Sequence, residues 1–225
     1  LWVGTRQRRV SARLFGMLLI FAAGAFFYID RNRIGALPAL NAHYVGTLLI
    51  AFAALFAGRS LHGARETIKT FERGATVVLL VWGLLWWYGG GLREILSNAS
   101  GDWLLSIPGV FVALSCVLAE SIGRRIGWPA LRISAVILPP AMLLFLAGVS
   151  FLHHPFADGA YGAWLAGFLA FYWIAHRQEP DRVTFAPLAQ HTMVFLIITA
   201  VATLEAAWAF RQIAPEGSDW EYSAW

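Results

Sequence analysis

Residues 74–92 read GATVVLLVWGLLWWYGGGL, an uncharged stretch enclosed by Arg73 and Arg93. A hydrocarbon core about 30 Å thick needs ~20 helical residues to cross it, so this stretch predicts a transmembrane helix. Inside lipid every backbone amide needs an internal partner, which a helix supplies. The sequence therefore predicts an all-α polytopic bundle of about seven transmembrane helices. The other six apolar segments lie at roughly 13–29, 43–58, 103–122, 132–152, 159–176 and 190–210.

The composition favours the same class of protein. Of the 225 residues, 59% are hydrophobic and only 13% are charged, whereas soluble domains carry about 25% charged residues. The mean hydropathy is +0.62. We expect residues 1–225 to form a single transmembrane helical domain. Because the chain begins with Leu1 rather than Met, we interpret it as a segment of a longer polytopic protein.

The basic residues predict how the chain is threaded. If seven helices alternate in direction, 13 of the 17 Lys and Arg residues fall on the side that holds the N-terminus. Cytoplasmic loops carry the basic excess, so we predict a cytoplasmic N-terminus. The excess lies beside the membrane, where it meets anionic lipid, and it forms no aromatic-interleaved stripe of the kind that binds nucleic acid. We therefore expect membrane lipid, and no nucleic acid, as a partner.

One loop on that side carries an apolar pattern of its own. Within residues 59–73, Leu61, Ala64, Ile68 and Phe71 fall on one helical face. The pattern predicts a short helix lying along the cytoplasmic interface. A solvated connector between two membrane helices is the alternative.

Several stretches together resemble a bacterial family of predicted membrane proteins known as domain of unknown function 2339. The resemblance covers most of the chain from Ala36 onward. It implies residence in the bacterial inner membrane, within a longer polytopic protein whose further helices would be partners. It implies no catalytic role for any residue. The matching stretches are LPALNAHYVG, LLWWYGGGLREI, GRRIGWPALR, HHPFADGAYGAW, FYWIAHRQE and LEAAWAFRQIAPEGSDWEYSAW.

Two carboxylates lie within apolar runs, where an ionised side chain costs about 2.5–3.5 kcal/mol at the helix centre. Glu120 has Arg124 four residues later, the favourable order for a helical ion pair, so we predict a structural pair. Glu205 has no basic residue in register. Small residues mark the face of a membrane helix that meets another helix, and Glu205 is flanked by alanines at 202, 206 and 209. We predict that it points into the bundle, with a structural partner or a protonatable, substrate-facing role; an interfacial position is the third alternative.

The candidate partners of Glu205 lie on the charge-poor side. They are Arg93 and the cluster His153, His154 and Asp158. This cluster could relay protons, hold a metal, or simply cap a helix end at the interface. Adjacent histidines in a helix diverge by about 100°, which opposes shared ligation of one ion. We therefore predict no metal site and no cofactor.

Two further features bear on the helices and on function. Pro139 and Pro140 predict a kink in the fifth segment, because each removes a backbone donor. The glycines of YGGGLRE, at 89–91, predict a helix C-terminus and turn. No Walker loop, dinucleotide-binding glycine pattern, HExxH or nucleophile elbow occurs. We therefore lean away from an enzyme.

Three functions stay open at this stage. The first is transport or handling of a lipid-linked or small solute in the cell envelope, with Glu205 at the polar centre. The second is a membrane scaffold in which buried carboxylates set the helix register. The third is a membrane-embedded enzyme acting at the outer leaflet.

Overall fold

The computed structural model describes residues 9–29, 41–64, 70–152, 154–181 and 187–213, and every regular element in these ranges is a helix. Three single 3₁₀ turns, Gly101–Trp103, Ala135–Ile137 and Ala157–Gly159, join some of the α-helices. The all-α prediction is therefore confirmed for the described residues. The α-helices are α1 (Val10–Ile29), α2 (Ala42–Gly63), α3 (Thr70–Asn98), α4 (Ser106–Arg125), α5 (Pro129–Ser134), α6 (Leu138–Leu152), α7 (Tyr161–Gln178) and α8 (Pro187–Ile213).

The helices pack into two compact units, Leu1–Asn98 and Ala99–Trp225. In the first, α2 and α3 form a closely packed antiparallel pair. A Cβ atom on Gly83 would lie 2.8 Å from Leu55 Cγ, so glycine is needed there for the two helices to approach. Further along, Gly90 packs against Thr47 in the same way. The predicted single domain is thus built as two units.

Helix α1 runs parallel to α3. Near its start, Arg13 donates hydrogen bonds from Nε and Nη2 to Glu72 Oε1 and Oε2, at 2.6 and 2.9 Å. Both side chains are almost completely buried. Further along, the Phe21 ring lies 5.2 Å from the Trp82 ring. A bidentate pair between arginine and carboxylate adds geometric specificity, and this one sets the register of α1 on α3.

In the second unit, α4 and α7 lie side by side and run in the same direction. At one end, Ser106 Oγ donates a hydrogen bond to the carbonyl of Gly159, just before α7 begins. At the other end, Gln178 Nε2 donates to Glu120 Oε2 at 2.8 Å. The two helices therefore cover the same distance between the same two ends of the unit.

Helices α5 and α6 are two parts of one broken helix. The 3₁₀ turn Ala135–Ile137 separates them, immediately before Pro139 and Pro140. A proline nitrogen cannot donate to the carbonyl four residues earlier, which leaves the oxygens of Ala135 and Val136 without their helical donors. The chain tightens to 3₁₀ geometry at that point. The predicted interruption is confirmed.

Helix α8 packs on the second unit through Val194, Ile197 and Val201, which are all buried. It runs antiparallel to α7, since the His191 ring near its start lies 5.5 Å from the Phe171 ring in the second half of α7, whereas Glu205 near its end meets the backbone of Phe156, just before α7 begins. The core of the unit also includes Cys116, Leu138, Met142 and Trp164.

Six helical stretches among the described residues are long and apolar enough to cross a membrane. Large apolar side chains on their surfaces stay exposed, as at Leu144 (75%) and Phe195 (67%); so much exposed apolar surface suits a hydrocarbon environment. The remaining predicted segment, 159–176, corresponds to α7, which ends in the polar residues His176, Arg177 and Gln178. The six stretches are Val10–Ile29, Ala42–Gly63, Glu72–Asn98, Ser106–Arg125, Pro129–Ser150 and Pro187–Ile213.

Two local predictions differ from the structure. Residues 59–63 continue α2 and residues 70–73 begin α3, so these parts of the predicted interfacial helix belong to the long helices; residues 65–69 lie outside the described residues. The predicted turn at the triple glycine is wrong, because α3 continues through it to Asn98. The glycine at position 90 serves helix packing on Thr47 instead of ending the helix.

Candidate functional site: an apolar groove between α1, α2 and α3

A groove of about 590 Å³ lies among the three helices of the first unit. This volume is within the range of about 300–1,000 Å³ that is typical of ligand pockets. Most of its lining side chains are apolar or aromatic, and Ile29 and Leu85 are 75% and 62% exposed, so it opens to the surroundings. The lining residues are Gly24, Ala25, Tyr28 and Ile29 of α1, His43 and Thr47 of α2, and Trp82, Leu85, Trp86, Gly89, Gly90 and Arg93 of α3.

One of the lining glycines leaves part of this space empty. A Cβ atom on Gly89 would meet nothing within 4 Å, so this position faces open space. Gly24 has the opposite role, since a Cβ there would lie 2.6 Å from Trp82 Cζ2. The glycine on α1 lets the indole lie against the backbone, while the glycine on α3 leaves the groove unfilled.

Aromatic rings stiffen the wall of the groove. The Trp82 and Trp86 rings meet edge to face at 5.9 Å, and Phe27 contacts Trp86 at the same distance. Edge-to-face ring pairs contribute about 0.5–1.5 kcal/mol beyond their buried area. The buried Nε1 of Trp82 meets no hydrogen-bond acceptor among the described residues.

The polar end of the groove is built by Arg93 and His43. Arg93 Nη1 lies 3.0 Å from His43 Nε2, and a guanidinium can only donate. The imidazole nitrogen must therefore accept, which makes His43 the neutral tautomer protonated on Nδ1. The ring of Phe27 stacks on His43 at 5.1 Å and holds its orientation.

The neighbouring carboxylate does not neutralise Arg93. Glu94 accepts hydrogen bonds from Asn41 Nδ2, at 2.9 Å from each carboxylate oxygen, and from Asn98 Nδ2 at 3.0 Å. Asn41 also caps α2 by accepting from the backbone N–H of Tyr44. Within the described part of the chain, no carboxylate forms an ion pair with Arg93. The groove therefore ends at a positive charge whose protein partner is a neutral ring.

A second polar cluster surrounds Glu205 in the other unit. His154 Nδ1 lies 3.0 Å from both oxygens of Glu205, and the backbone N–H of Phe156 donates to Oε2 at 3.2 Å. The His154 ring stacks on Trp208, with the ring centres 3.9 Å apart. Glu205 thus anchors the connection between α6 and α7 to α8. This contact accounts for a carboxylate within an apolar helix.

The predicted polar site is only partly assembled around Glu205. His154 is its partner, whereas Arg93 belongs to the first unit and contacts His43. His153 lies outside the described residues. Asp158 is exposed and has a positive φ of 48°, in the 3₁₀ turn that leads into α7. Among the described residues, no three metal-ligating side chains come together.

The alanines that we predicted to pack against a neighbouring helix around Glu205 do not form the packed face of α8. Ala202 and Ala206 are exposed, and Ala209 is only partly buried. Glu205 instead continues the buried stripe of Val201 at helical spacing, with about a fifth of its side chain exposed. Its carboxylate points toward the connection between α6 and α7, where it contacts His154 and the backbone of Phe156.

Glu120 has a different partner from the one predicted. It is fully buried and accepts hydrogen bonds from Arg132 Nε and from Gln178 Nε2, at 3.0 and 2.8 Å. Arg124 instead lies 3.6 Å from Asp181, and both of these groups are partly exposed. The reversal between α4 and α5 folds Arg132 back over Glu120, so a tertiary contact replaces the predicted pair within the helix. This cluster joins α4, α5 and α7.

No protein-family model matches the chain, and neither a curated protein nor a solved structure shows significant similarity to it.

Proposed function

We propose that this is a multi-pass protein of the bacterial inner membrane that holds the tail of a lipid, or of a lipid-linked solute, in the groove between α1, α2 and α3. The observation that carries the proposal is the groove itself. It is apolar along its wall, open at its side and charged at one end.

The dimensions of the groove suit one leaflet of a bilayer. Trp82 and Arg93 are separated by eleven positions on α3, which corresponds to about 16 Å at 1.5 Å per residue. The hydrocarbon core is about 30 Å thick, so this length is close to half of it. A tail whose polar group lies at Arg93 would reach the middle of the bilayer beside Trp82.

Seven crossings with a cytoplasmic N-terminus are part of the proposal. Helix α7 runs beside α4, with their ends paired at Ser106 and Gly159 and at Glu120 and Gln178. A helix that covers the same distance as a spanning neighbour, between the same ends, also spans. The charge bias of 13 of 17 basic residues favours this count and orientation.

Apolar burial alone gives a membrane groove little affinity, because the surrounding lipid tails are equally apolar. Affinity must come from packing against a stiff wall and from polar contacts at the end. The aromatic pairs at Trp82 and Trp86 and the guanidinium of Arg93 supply these two elements.

The test is whether lipid retained by the purified protein depends on the groove. Gly89→Leu places a side chain in the open space, and native mass spectrometry in mild detergent counts bound lipids. We expect the most tightly held lipid to be lost. Gly148→Leu is the matched control, since this exposed helical glycine in the other unit also has open space around it.

Equal lipid retention in Gly89→Leu, Gly148→Leu and the unsubstituted protein would contradict a lipid-holding groove. The scaffold hypothesis would then be favoured. One observation already supports a scaffold as the second candidate: only 17% of the apolar window of α1, and of that of α8, is buried. Such faces have room for further transmembrane helices of the same longer chain.

A further inference from the structure

We infer that the groove selects a lipid whose head group carries an anionic phosphate, and that Arg93 is the group that binds it. This inference rests on the proposed function, since it names the chemistry of the ligand in the same groove. The occupant that we infer is a phospholipid, whose phosphate is the anion and whose acyl tail lies along the apolar wall of the groove.

The first argument is charge. Arg93 is exposed, whereas the two buried arginines of the described residues have carboxylate partners: Arg13 binds Glu72, and Arg132 binds Glu120. Arg93 is paired with a neutral imidazole, and in the described part of the chain it forms no ion pair. Its charge is therefore left for a ligand.

The second argument is geometry. Among the described contacts, only Nη1 of the Arg93 guanidinium is engaged by another side chain, namely His43. The Nε and Nη2 edge is left with parallel N–H donors, the arrangement that binds two oxygens of a phosphate at once. The contact with His43, which is itself stacked on Phe27, restricts the direction of this edge. His43 is thus a positioning residue.

The third argument is position. Arg93 lies near the end of α3, beside the last residue of α1 and the first turn of α2. Helix ends of membrane proteins lie at the level of the lipid head groups. A head group at this level places its ester-linked tail along the aromatic wall that begins at Trp86.

The experiment titrates the detergent-purified full chain with two lipids of identical acyl chains, phosphatidylglycerol and diacylglycerol, which lacks the phosphate, and follows binding by native mass spectrometry. The groove-specific component is the binding that Gly89→Leu removes. One arginine near a membrane surface contributes about 1 kcal/mol to attraction of an anion, or about fivefold in affinity. We expect phosphatidylglycerol to bind about fivefold more tightly, and Arg93→Gln to abolish this preference.

Arg73→Gln is the matched control, because it removes an equal charge from an exposed position at the opposite end of the same helix. It should leave the preference unchanged. Arg93→Lys, which keeps the charge, should retain most of it. Glycerol phosphate, which has no tail, should not compete at equal concentration.

Each arm separates the two proposals. If Gly89→Leu removes binding of both lipids equally and Arg93→Gln changes nothing, the head-group inference is wrong and the lipid groove stands. Loss of preference in Arg73→Gln to the same extent as in Arg93→Gln would also overturn the inference. Effective competition by glycerol phosphate would show that the tail contributes nothing to binding, which would overturn the lipid groove. Absence of any binding sensitive to Gly89→Leu would overturn the lipid groove itself.

Discussion

Replacing Glu120 and Arg132 singly and together measures how much their buried ion pair stabilises the second unit. The carboxylate of Glu120 is fully buried, and the Arg132 side chain is only 10% exposed. Removing one partner of such a pair leaves an uncompensated buried charge, which costs about 3–5 kcal/mol. We expect Arg132→Met, which leaves the buried carboxylate of Glu120 without a cation, to lower the free energy of unfolding by this amount. Glu120→Leu should cost less, because Arg132 Nη2 keeps its 2.8 Å contact with Asp181. The double variant should lose much less than the sum, because replacing both partners by apolar side chains is often close to neutral.

The assay is reversible unfolding by SDS in bicelles, followed by circular dichroism, with the coupling energy taken from the double-mutant cycle. We expect Glu120 and Arg132 to couple by about 2 kcal/mol or more. Arg124 is the matched control on the same helix as Glu120. Its contact with Asp181 is long and its side chain is 45% exposed, so Arg124→Met should cost about 0–1 kcal/mol. If Arg124 coupled to Glu120 as strongly as Arg132 does, the assignment of the pair from the structure would be refuted.

Two further substitutions test contacts of the second unit by the same unfolding assay. Glu205→Ala should cost about 0.5–1.5 kcal/mol because it removes the acceptor of the Phe156 N–H at a partly exposed site, while Glu205→Gln, which keeps one acceptor oxygen, should cost less; equal losses would show that the hydrogen bond is not the cause. Gly109→Ala drives a Cβ into Ala163 between α4 and α7 and should cost about 1–3 kcal/mol, whereas Gly148→Ala meets open space and should be neutral. Equal stability of the two alanine variants would argue against the close approach of these helices.

The long helices were predictable because the membrane imposes a rule that a sequence can display locally. An uncharged run of about 20 residues must close its own hydrogen bonds in lipid, and each predicted run corresponds to described helix. The break at Pro139 was predictable for a similar local reason, the missing backbone donor. The ends of the helices were harder to predict from the sequence. At the triple glycine, the low helix propensity of glycine favours a turn, but the packing of Gly90 on Thr47 between α2 and α3 outweighs it.

The partners of the buried carboxylates could not be predicted, because local spacing says nothing about chain reversals. Arg124 is the only basic residue in helical register after Glu120, so it was the natural choice. In the structure, Gly127 adopts a positive φ of 62°, and the chain returns along α4. A Cβ on Gly123 would lie 2.7 Å from Arg132 Cγ, so this glycine makes room for the returning arginine. The glycines at positions 123 and 127 were the sequence features that could have indicated this chain reversal.

The groove escaped sequence analysis for a different reason, since it is defined partly by absent side chains. The sequence does not distinguish a glycine that faces open space, such as Gly89, from one that is packed against a neighbouring helix, such as Gly90. Attention to charged residues inside apolar runs led to Glu205, whose carboxylate is occupied by His154 and the chain around it. Arg93 lies at the end of its run, where a basic residue is ordinarily read as an anchor.

The arginines of this protein suggest how a membrane protein can separate structural from ligand-binding charge. A guanidinium between apolar helices needs compensation, and at Arg13 and Arg132 a glutamate from another part of its unit provides it. Such a pair carries no net charge, and its arginine is therefore not available to bind an anion. Contact with a neutral histidine orients Arg93 without neutralising it. Burial and partner agree in these three arginines: the two buried ones are paired with carboxylates, whereas the exposed Arg93 contacts a neutral histidine.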